Sequence, residues 1–211
     1  MKILTFILGS MHTNCYFIID ETLNKCVIID PAAEFDKIMA KIKEYGYEAE
    51  YILLTHSHFD HMMALEDLRN ALNIPLCVHE HDAEAVTNNE HNYIKQFSGM
   101  KINKRLKPAE VVLKDGDIIK TGNIEIKVLH TPGHTMGSVC YFIENNIVTG
   151  DTLFKEDIGR YDLYGGDYIE LLASLKKLKN IDTSSHDYKI YPGHGSSSRL
   201  IYEKENNIYL K

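Results

Sequence analysis

Short apolar runs separated by turn-forming residues recur along the 211-residue chain. Runs of four to eight apolar residues bounded by such turns are typical of buried β-strands. We therefore predict strands at residues 2–8, 15–20, 26–29, 51–55, 76–79, 117–120, 124–129, 139–143, 147–149 and 188–191. The turn sequences at 121–123 (Thr-Gly-Asn) and 145–146 (Asn-Asn) predict that the strands flanking each turn pair antiparallel.

Three other segments carry apolar residues at the spacing of a half-buried helix. Residues 34–45 repeat an apolar position every three or four residues, and Gly46 is placed to end that helix. A second helix is predicted to begin at Asp167, because Glu170 three residues later completes a capping box. A third follows His61. Strand groups with flanking helices indicate a layered α/β protein with mixed sheets.

Residues 86–108 do not fit either pattern. They are polar and weakly periodic, so we predict a long excursion that contains at most one short helix. Excursions of this length often border a functional site. The sequence leaves open whether this segment acts as a lid.

Composition and charge restrict the class of protein. Apolar residues make up 44% of the chain and charged residues 25%, which is ordinary for a soluble globular protein. No linker-like break occurs, so we predict a single domain over residues 1–211. The net charge of −7 argues against nucleic acid and against anionic membranes as partners. Without a signal-peptide pattern or a membrane-length apolar run, the expected location is cytoplasmic.

Three histidines and an aspartate fall within residues 56–61, which read His-Ser-His-Phe-Asp-His. Imidazole and carboxylate are the side chains that bind zinc, manganese or iron. A solvated loop with accidental histidines is the weaker interpretation, because packing four titratable groups together without a metal costs free energy. Alternate residues of an extended segment lie on one side, which pairs His56 with His58 on one ion. Asp60 and His61, past the bend, can face a second ion.

Three further predicted strands end in a histidine or aspartate beside a glycine. The residues concerned are His134, Asp151 and His194. Glycine at these positions would let the backbone approach a metal centre closely. Each signal is weak alone, but together with residues 56–61 they supply five histidines and two aspartates as candidate ligands.

Seven ligands suit two metal ions that share one residue. The predicted assignment is His56, His58 and His134 to the first ion, Asp60, His61 and His194 to the second, and Asp151 to both. Two divalent cations, two aspartates and a hydroxide leave a charge of about +1, which lowers the pKa of water and stabilises an oxyanion. The predicted cofactor is two divalent metal ions, zinc first, with iron or manganese as alternatives. The predicted chemistry is hydrolysis.

The motifs that carry these ligands resemble those of the metallo-β-lactamase-fold superfamily. In chain order they are HxHxDH (56–61), PGHT (132–135), GD (150–151) and PGHG (192–195). The segments 150–154 (Gly-Asp-Thr-Leu-Phe) and 159–162 (Gly-Arg-Tyr-Asp) are similar to the glyoxalase II-like branch. The resemblance covers nearly the whole chain. It implies a four-layer αββα sandwich of two mixed β-sheets flanked by helices, with the metal site at one edge between the sheets.

The resemblance also implies a reaction. A metal-bridging hydroxide would cleave a small acyl thioester or ester, as in hydroxyacylglutathione hydrolases, and Asp60 would orient that hydroxide or accept a proton. The chain departs from typical glyoxalase II because it stops 17 residues after His194, without the C-terminal helical region that carries most glutathione contacts. Residues 196–200 also depart from the threonine-rich pattern usual there. Another thiol, or a small acyl ester, therefore stands beside glutathione as the expected small-molecule partner.

Two other functions stay open. The persulfide dioxygenase branch has a similar ligand string but uses one iron, which the resemblance places on His56, His134 and Asp151. A mononuclear iron dioxygenase is therefore the alternative to the hydrolase, and bound metal and oxygen uptake separate the two. A non-catalytic protein that keeps the metal site is the third hypothesis.

Several residues near these motifs have two interpretations each. Arg160 and Lys155 could bind a substrate carboxylate, or form surface salt bridges. Tyr161 could line the substrate pocket, or simply pack. Asp30 could orient a ligand histidine, or cap the helix that follows it. His130 is predicted not to be a ligand, because the set is complete without it.

Overall fold

Two six-stranded β-sheets form the centre of the structure, a computed structural model that describes residues 1–97 and 106–211. The first sheet contains, in spatial order, β1 (Lys2–Leu8), β2 (Thr13–Asp20), β3 (Lys25–Ile29), β4 (Glu48–Leu53), β5 (Leu76–His79) and β6 (Val111–Leu113). The second contains β14 (Ser198–Arg199), β13 (Lys189–Pro192), β10 (Asn146–Gly150), β9 (Val139–Ile143), β8 (Ile124–His130) and β7 (Ile118–Thr121). A two-stranded ribbon joins β11 (Leu153–Phe154) to β12 (Asp157–Ile158).

Helices cover the outer faces of the sheets. They are α1 (Phe35–Tyr45), α2 (Leu65–Leu72), α3 (Ala83–Thr87), α4 (Ile94–Phe97), α5 (Tyr168–Lys179) and α6 (Leu200–Asn206). The predicted caps are present: Gly46 ends α1 at φ 68°, and the Asp167 carboxylate accepts from the backbone N–H groups of Ile169 and Glu170. These contacts satisfy backbone groups that a helix end leaves unpaired.

Three apolar cores stack through the molecule. Between the sheets, Tyr16 and Ile29 of the first sheet pack with Val128 and Tyr141 of the second. The other face of the first sheet packs against α1 and α2, and the other face of the second against α5 and α6. Burial of each such large side chain contributes roughly 1.5–3 kcal/mol. The layers therefore run helix, sheet, sheet, helix, which confirms the predicted αββα sandwich.

The differences from the predicted elements are local. Strands β6, β11, β12 and β14 were not predicted, because runs of two or three residues carry too little pattern and pair only through tertiary contacts. Within the predicted excursion 86–108, α4 is the short helix, while residues 98–105 lie outside the described residues. Over the described parts, no helix is long and apolar enough to cross a membrane.

The strand directions bring four chain segments to one edge of the sandwich. In the first sheet, β4 lies parallel to both β3 and β5. In the second, β8 and β10 are each antiparallel to β9, and β13 is parallel to β10, so β8, β10 and β13 point the same way. The segments that leave β4, β8, β10 and β13 carry the predicted ligands.

Candidate metal centre

All seven predicted ligands lie together at this edge, and we call them the metal centre. Their ligand atoms form three overlapping groups, each with all atoms within 4.8 Å of one another. The groups are His56, His58 and His134; His56, His61 and Asp151; and Asp60, His61 and His194. The first and third groups match the two predicted ligand sets, and the middle group shares His56 with the first and His61 with the third and adds Asp151.

Hydrogen bonds on the outer side of the rings orient the histidines. In four of them Nδ1 lies within hydrogen-bonding distance of a protein oxygen. These oxygens are the Thr55 hydroxyl for His56 (3.1 Å), the Asp30 carboxylate for His61 (3.0 Å), the Arg160 carbonyl for His134 (2.6 Å) and the Met11 carbonyl for His194 (3.2 Å). A partner on Nδ1 fixes the ring and leaves Nε2 to bind a metal.

The spacing inside the centre fits metal ions. His134 Nε2 lies 3.2 Å from His56 Nε2 and 3.6 Å from Asp151 Oδ2, and His194 Nε2 lies 3.2 Å from Asp60 Oδ2. Ligand atoms around a tetrahedral zinc lie roughly 3.3 Å apart, given bonds of 2.0–2.1 Å.

Three buried atoms of the centre are left without a hydrogen-bond partner, namely Nε2 of His58, Nε2 of His61 and Oδ1 of Asp151. Leaving such an atom buried and unpaired costs about 1–3 kcal/mol, and metal ions would remove that cost. The donor set therefore fits a pair of divalent cations.

Electrostatics divide the centre into two halves. The half made of His56, His58 and His134 is buried and contains only imidazole. Burial, reinforced by the neighbouring histidines, holds the pKa of His56 and of His58 well below the usual range. These two rings are neutral at pH 7, which is the form that binds a metal.

The other half, Asp60, His61 and His194, mixes both charges. Although burial opposes it, Asp60, Asp151 and Asp30 raise the pKa of His61 to about 10. Burial also opposes the rise at His194, where the hydrogen bond to Asp60 raises the pKa. In return, and against burial, His61 and His194 hold the pKa of Asp60 below its usual range. In this half the carboxylates and the imidazole rings therefore attract one another.

Asp30 has the role of orienting a ligand rather than capping α1. Its carboxylate is fully buried, faces His61, and accepts from the Thr55 backbone N–H at 2.8 Å and the Thr55 hydroxyl at 2.7 Å. The cap position of α1 is Glu34, which makes no side-chain cap hydrogen bond. Of the two interpretations of Asp30, the structure supports the first.

The turn that carries His194 is tied to the N-terminal strands. The Asn14 side chain donates to the carbonyls of Pro192 (2.9 Å) and Gly195 (3.0 Å), and the Thr13 hydroxyl donates to Asp60 Oδ2 (2.9 Å). At Gly193 a Cβ would lie 2.1 Å from Asp151 Oδ1, so any side chain there would displace the Asp151 carboxylate. Here glycine is required for close approach.

A cavity of about 330 Å³ opens above the metal centre. Apart from His58, Asp60, His134, Asp151 and His194, its lining residues are Met11, Phe59, Tyr93, Phe154, Arg160 and Leu163. The wall is therefore mostly apolar, with the polar atoms gathered at the floor. Such a cavity accommodates a small, largely apolar group.

The three predicted substrate contacts occupy different places. Arg160 lines the cavity, and its guanidinium forms a two-pronged pair with Asp162, at 2.7 and 2.9 Å. Tyr161 is 43% exposed and packs against Tyr168. Lys155 lies in a neighbouring groove, with its ammonium 5.7 Å from the centre of the Tyr202 ring. Their role in substrate binding stays a prediction.

Several residues of the site carried no usable sequence signal. Met11, in the turn after β1, and Thr13, the first residue of β2, reach the centre from more than 40 residues before the first candidate ligand. Tyr93 and Phe154 are single aromatic residues in irregular or very short segments. Only their three-dimensional proximity to the ligands distinguishes them from packing residues.

Comparison with known proteins places this geometry in a family. The model of the metallo-beta-lactamase superfamily matches residues 8–194. The "Probable metallo-hydrolase YqgX" of Bacillus subtilis (strain 168) is 33% identical over 204 residues, which are 96% of this chain and 94% of that protein.

Solved structures agree with that match. The BLEG-1 B3 metallo-beta-lactamase superposes with a TM-score of 0.89 at 30% identity, covering 100% of both chains. TTHA1623 in a di-iron-bound form superposes with a TM-score of 0.83 at 32% identity, covering 98% of this chain and 100% of that one.

Proposed function

The chain belongs to the metallo-beta-lactamase superfamily and with it to the metal-dependent hydrolases, and we propose that it cleaves a small acyl thioester or ester in the manner of glyoxalase II. One observation carries the proposal. Both halves of the metal centre are assembled around Asp151, and their unpartnered ligand atoms lie beneath a largely apolar cavity of about 330 Å³. A site of this kind suits a carbonyl substrate with a small acyl group.

The residues of the two halves would hold two divalent ions, zinc or iron, with Asp151 shared between them. Such ions supply an activated water and polarise the substrate carbonyl when bound. The relative TTHA1623 has been solved in a di-iron-bound form, which supports a two-ion centre in this family.

The chain's own residues would bind the acyl group and orient the attacking water. Met11, Phe154 and Leu163 form an apolar wall that packs against the acyl group and excludes water. The Asp60 carboxylate faces the same cavity, and Thr13 holds its Oδ2 by a hydrogen bond of 2.9 Å. Its low pKa keeps Asp60 ionised at pH 7, so that its carboxylate can accept a hydrogen bond from the attacking water and orient it.

The experiment compares three substrates on one preparation of known metal content. S-lactoylglutathione, a short acyl ester and a β-lactam are assayed, the last because BLEG-1 is a β-lactamase. We expect turnover of the thioester, the ester or both, and at least tenfold slower cleavage of the β-lactam. Turnover of the β-lactam alone, or of none of the three with two ions bound, would overturn the proposal. Oxygen uptake with a persulfide and one iron per chain would favour the dioxygenase.

A further inference from the structure

A buried carboxylate outside the metal centre connects two of the segments that carry its ligands. Asp82 is 2% exposed and lies directly before α3. Its Oδ2 accepts from the Ser57 backbone N–H at 2.8 Å and from the Thr135 hydroxyl at 3.0 Å, and its Oδ1 accepts from the Gly137 backbone N–H at 2.7 Å. Three donors on one buried carboxyl group hold that group in a single position.

The positions of these donors in the chain are informative. Ser57 lies between His56 and His58, and Thr135 directly follows His134. The Asp82 carboxylate is therefore hydrogen-bonded to both chain segments that supply the all-imidazole half of the centre, one around Ser57 and one after His134. A buried carboxylate costs free energy unless donors compensate it. Among the described residues the compensating groups are these donors, and no cationic side chain pairs with Asp82.

The packing around Asp82 leaves little room for adjustment. A Cβ built at Gly137 would lie 2.5 Å from the Asp82 backbone nitrogen and 2.6 Å from its Oδ1. Only glycine lets the segment after His134 approach the carboxylate this closely. The Ser138 hydroxyl closes the same turn by accepting from the Thr135 backbone N–H at 3.0 Å.

Asp30 provides the comparison. It contacts His61 directly, and it reaches His56 through the Thr55 hydroxyl, which lies 2.7 Å from Asp30 Oδ2 and 3.1 Å from His56 Nδ1. Asp30 is therefore linked to both halves of the centre, to His61 by direct contact and to His56 through Thr55. The bonds of Asp82 lead only to the half made of His56, His58 and His134.

We infer that Asp82 is a positioning residue, which sets the His56–His58 segment against His134 and thereby controls the affinity of the first metal ion alone. Asp82 does not touch the ligands themselves, so its effect passes through Ser57 and Thr135. The inference rests on the two-ion centre of the proposed function. Its test measures metal binding rather than turnover, so the inference about Asp82 and the proposed function can fail separately.

The test is a metal titration of Asp82→Asn, which keeps the shape of the side chain but places an amide against N–H donors. Metal-free protein is titrated with Zn²⁺ against a chromogenic chelator. We expect the wild-type protein to bind two ions tightly. In the variant, one ion should keep its affinity and the other should bind about tenfold more weakly, the lower end of the 10–100-fold range found when a direct partner of a ligand is removed.

The weakened site is identified by following the histidine side-chain ¹⁵N resonances during the titration. In Asp82→Asn, His61 and His194 should respond at the first equivalent of Zn²⁺. His58 and His134 should respond only at higher concentration. Asp30→Asn, in contrast, should weaken both ions.

Two further variants separate positioning from a general loss of stability. Glu66→Gln is the matched control: Glu66 is 5% exposed and accepts from Arg69 and the Lys107 backbone N–H, away from the centre. It should leave both affinities within twofold of wild type. Thr135→Val keeps Asp82 and removes one of its donors, so it should weaken the first ion by a smaller factor and serves if Asp82→Asn does not fold.

Either of two results would overturn the inference. One is unchanged affinity for both ions in Asp82→Asn, or in Thr135→Val if only that variant folds. The other is equal weakening of both ions, which a general loosening of the fold would cause.

Discussion

Histidines gather in two places on this molecule, and the ring nitrogens face different surroundings in each. In the metal centre, protein oxygens contact Nδ1 of four histidines, and the ligand atoms converge in groups that include the carboxylates of Asp60 and Asp151. In a second group, His79, His81 and His130, the rings of His79 and His130 stack 4.0 Å apart at 14°. We call this second group the histidine stack.

Two ring nitrogens of the histidine stack contact backbone groups instead. His130 Nε2 lies 2.8 Å from the Met136 carbonyl, and His79 Nδ1 accepts a long hydrogen bond from the His81 backbone N–H. Over the described residues, none of the groups able to hold a metal includes these three histidines. The comparison teaches that a density of histidines does not make a metal site. Convergent nitrogens with a shared carboxylate do.

The largest expected effect separates the two places by mutation. Asp151→Ala removes the carboxylate common to both halves, so bound metal should fall below two ions per chain and thioester turnover by about 10³-fold. His130→Ala, in the histidine stack, should keep two ions. Elemental mass spectrometry and a thioester assay check both. Equal metal loss in the two variants would contradict the claim that only the metal centre binds metal.

The next effect concerns the carboxylate that orients water inside the metal centre. Asp60→Ala should lower turnover by about 10²-fold, because the variant lacks the carboxylate that orients the attacking water. His81→Ala, in the stack, should leave turnover within twofold. Retained turnover of Asp60→Ala with two ions bound would contradict the role given to Asp60.

The histidine stack should affect the pH dependence of the free energy of unfolding rather than the activity. Burial and the neighbouring His130 lower the pKa of His79 to about 4. Unfolded histidine has a pKa of about 6.5, so below that pH the unfolded chain takes up a proton that the folded chain does not. The free energy of unfolding should therefore fall as the pH drops from about 6.5 to about 4.

Urea denaturation of the wild-type protein and of His79→Gln over this pH range measures that contribution. The metal centre is common to both proteins, so its titration cancels in the difference. The variant should show a shallower loss of stability toward low pH. Identical pH dependence in the two proteins would show that His79 titrates normally.

The smallest expected effect lies at the rim of the cavity. Arg160 lines the cavity, while Lys155 lies in the neighbouring groove. Arg160→Ala should raise KM for an anionic acyl thioester by about tenfold, the scale of one charge-assisted contact. Lys155→Ala should raise it by less. Steady-state kinetics of both variants on one substrate measure the two KM values. A larger increase in Lys155→Ala than in Arg160→Ala would contradict the prediction.

The sequence predicted the layered α/β fold and the seven candidate ligands that the structure brings together, because both depend on local patterns. Strand runs and the 56–61 motif are contiguous, and the remaining ligands each follow a strand beside a glycine. The order of strands in each sheet, and hence the edge at which these strands end, comes from long-range pairing.

The supporting residues could not be predicted in the same way. Asp82 is 24 residues from His58 and 52 from His134, and its hydrogen bonds exist only when the two sheets have packed. Nothing in its local sequence distinguishes it from the other acidic residues of the chain. Asp30 was recognised as a candidate because it precedes a proline beside a predicted helix, yet its contact with His61 required the structure.

The most direct test of the two-ion hydrolase is a titration of activity with metal. Metal-free protein receives Zn²⁺ in steps, and turnover of the preferred thioester or ester is measured at each step beside the bound metal. The account predicts that turnover reaches its maximum only at two ions per chain. Full turnover at one ion per chain, or no turnover at two, would contradict it.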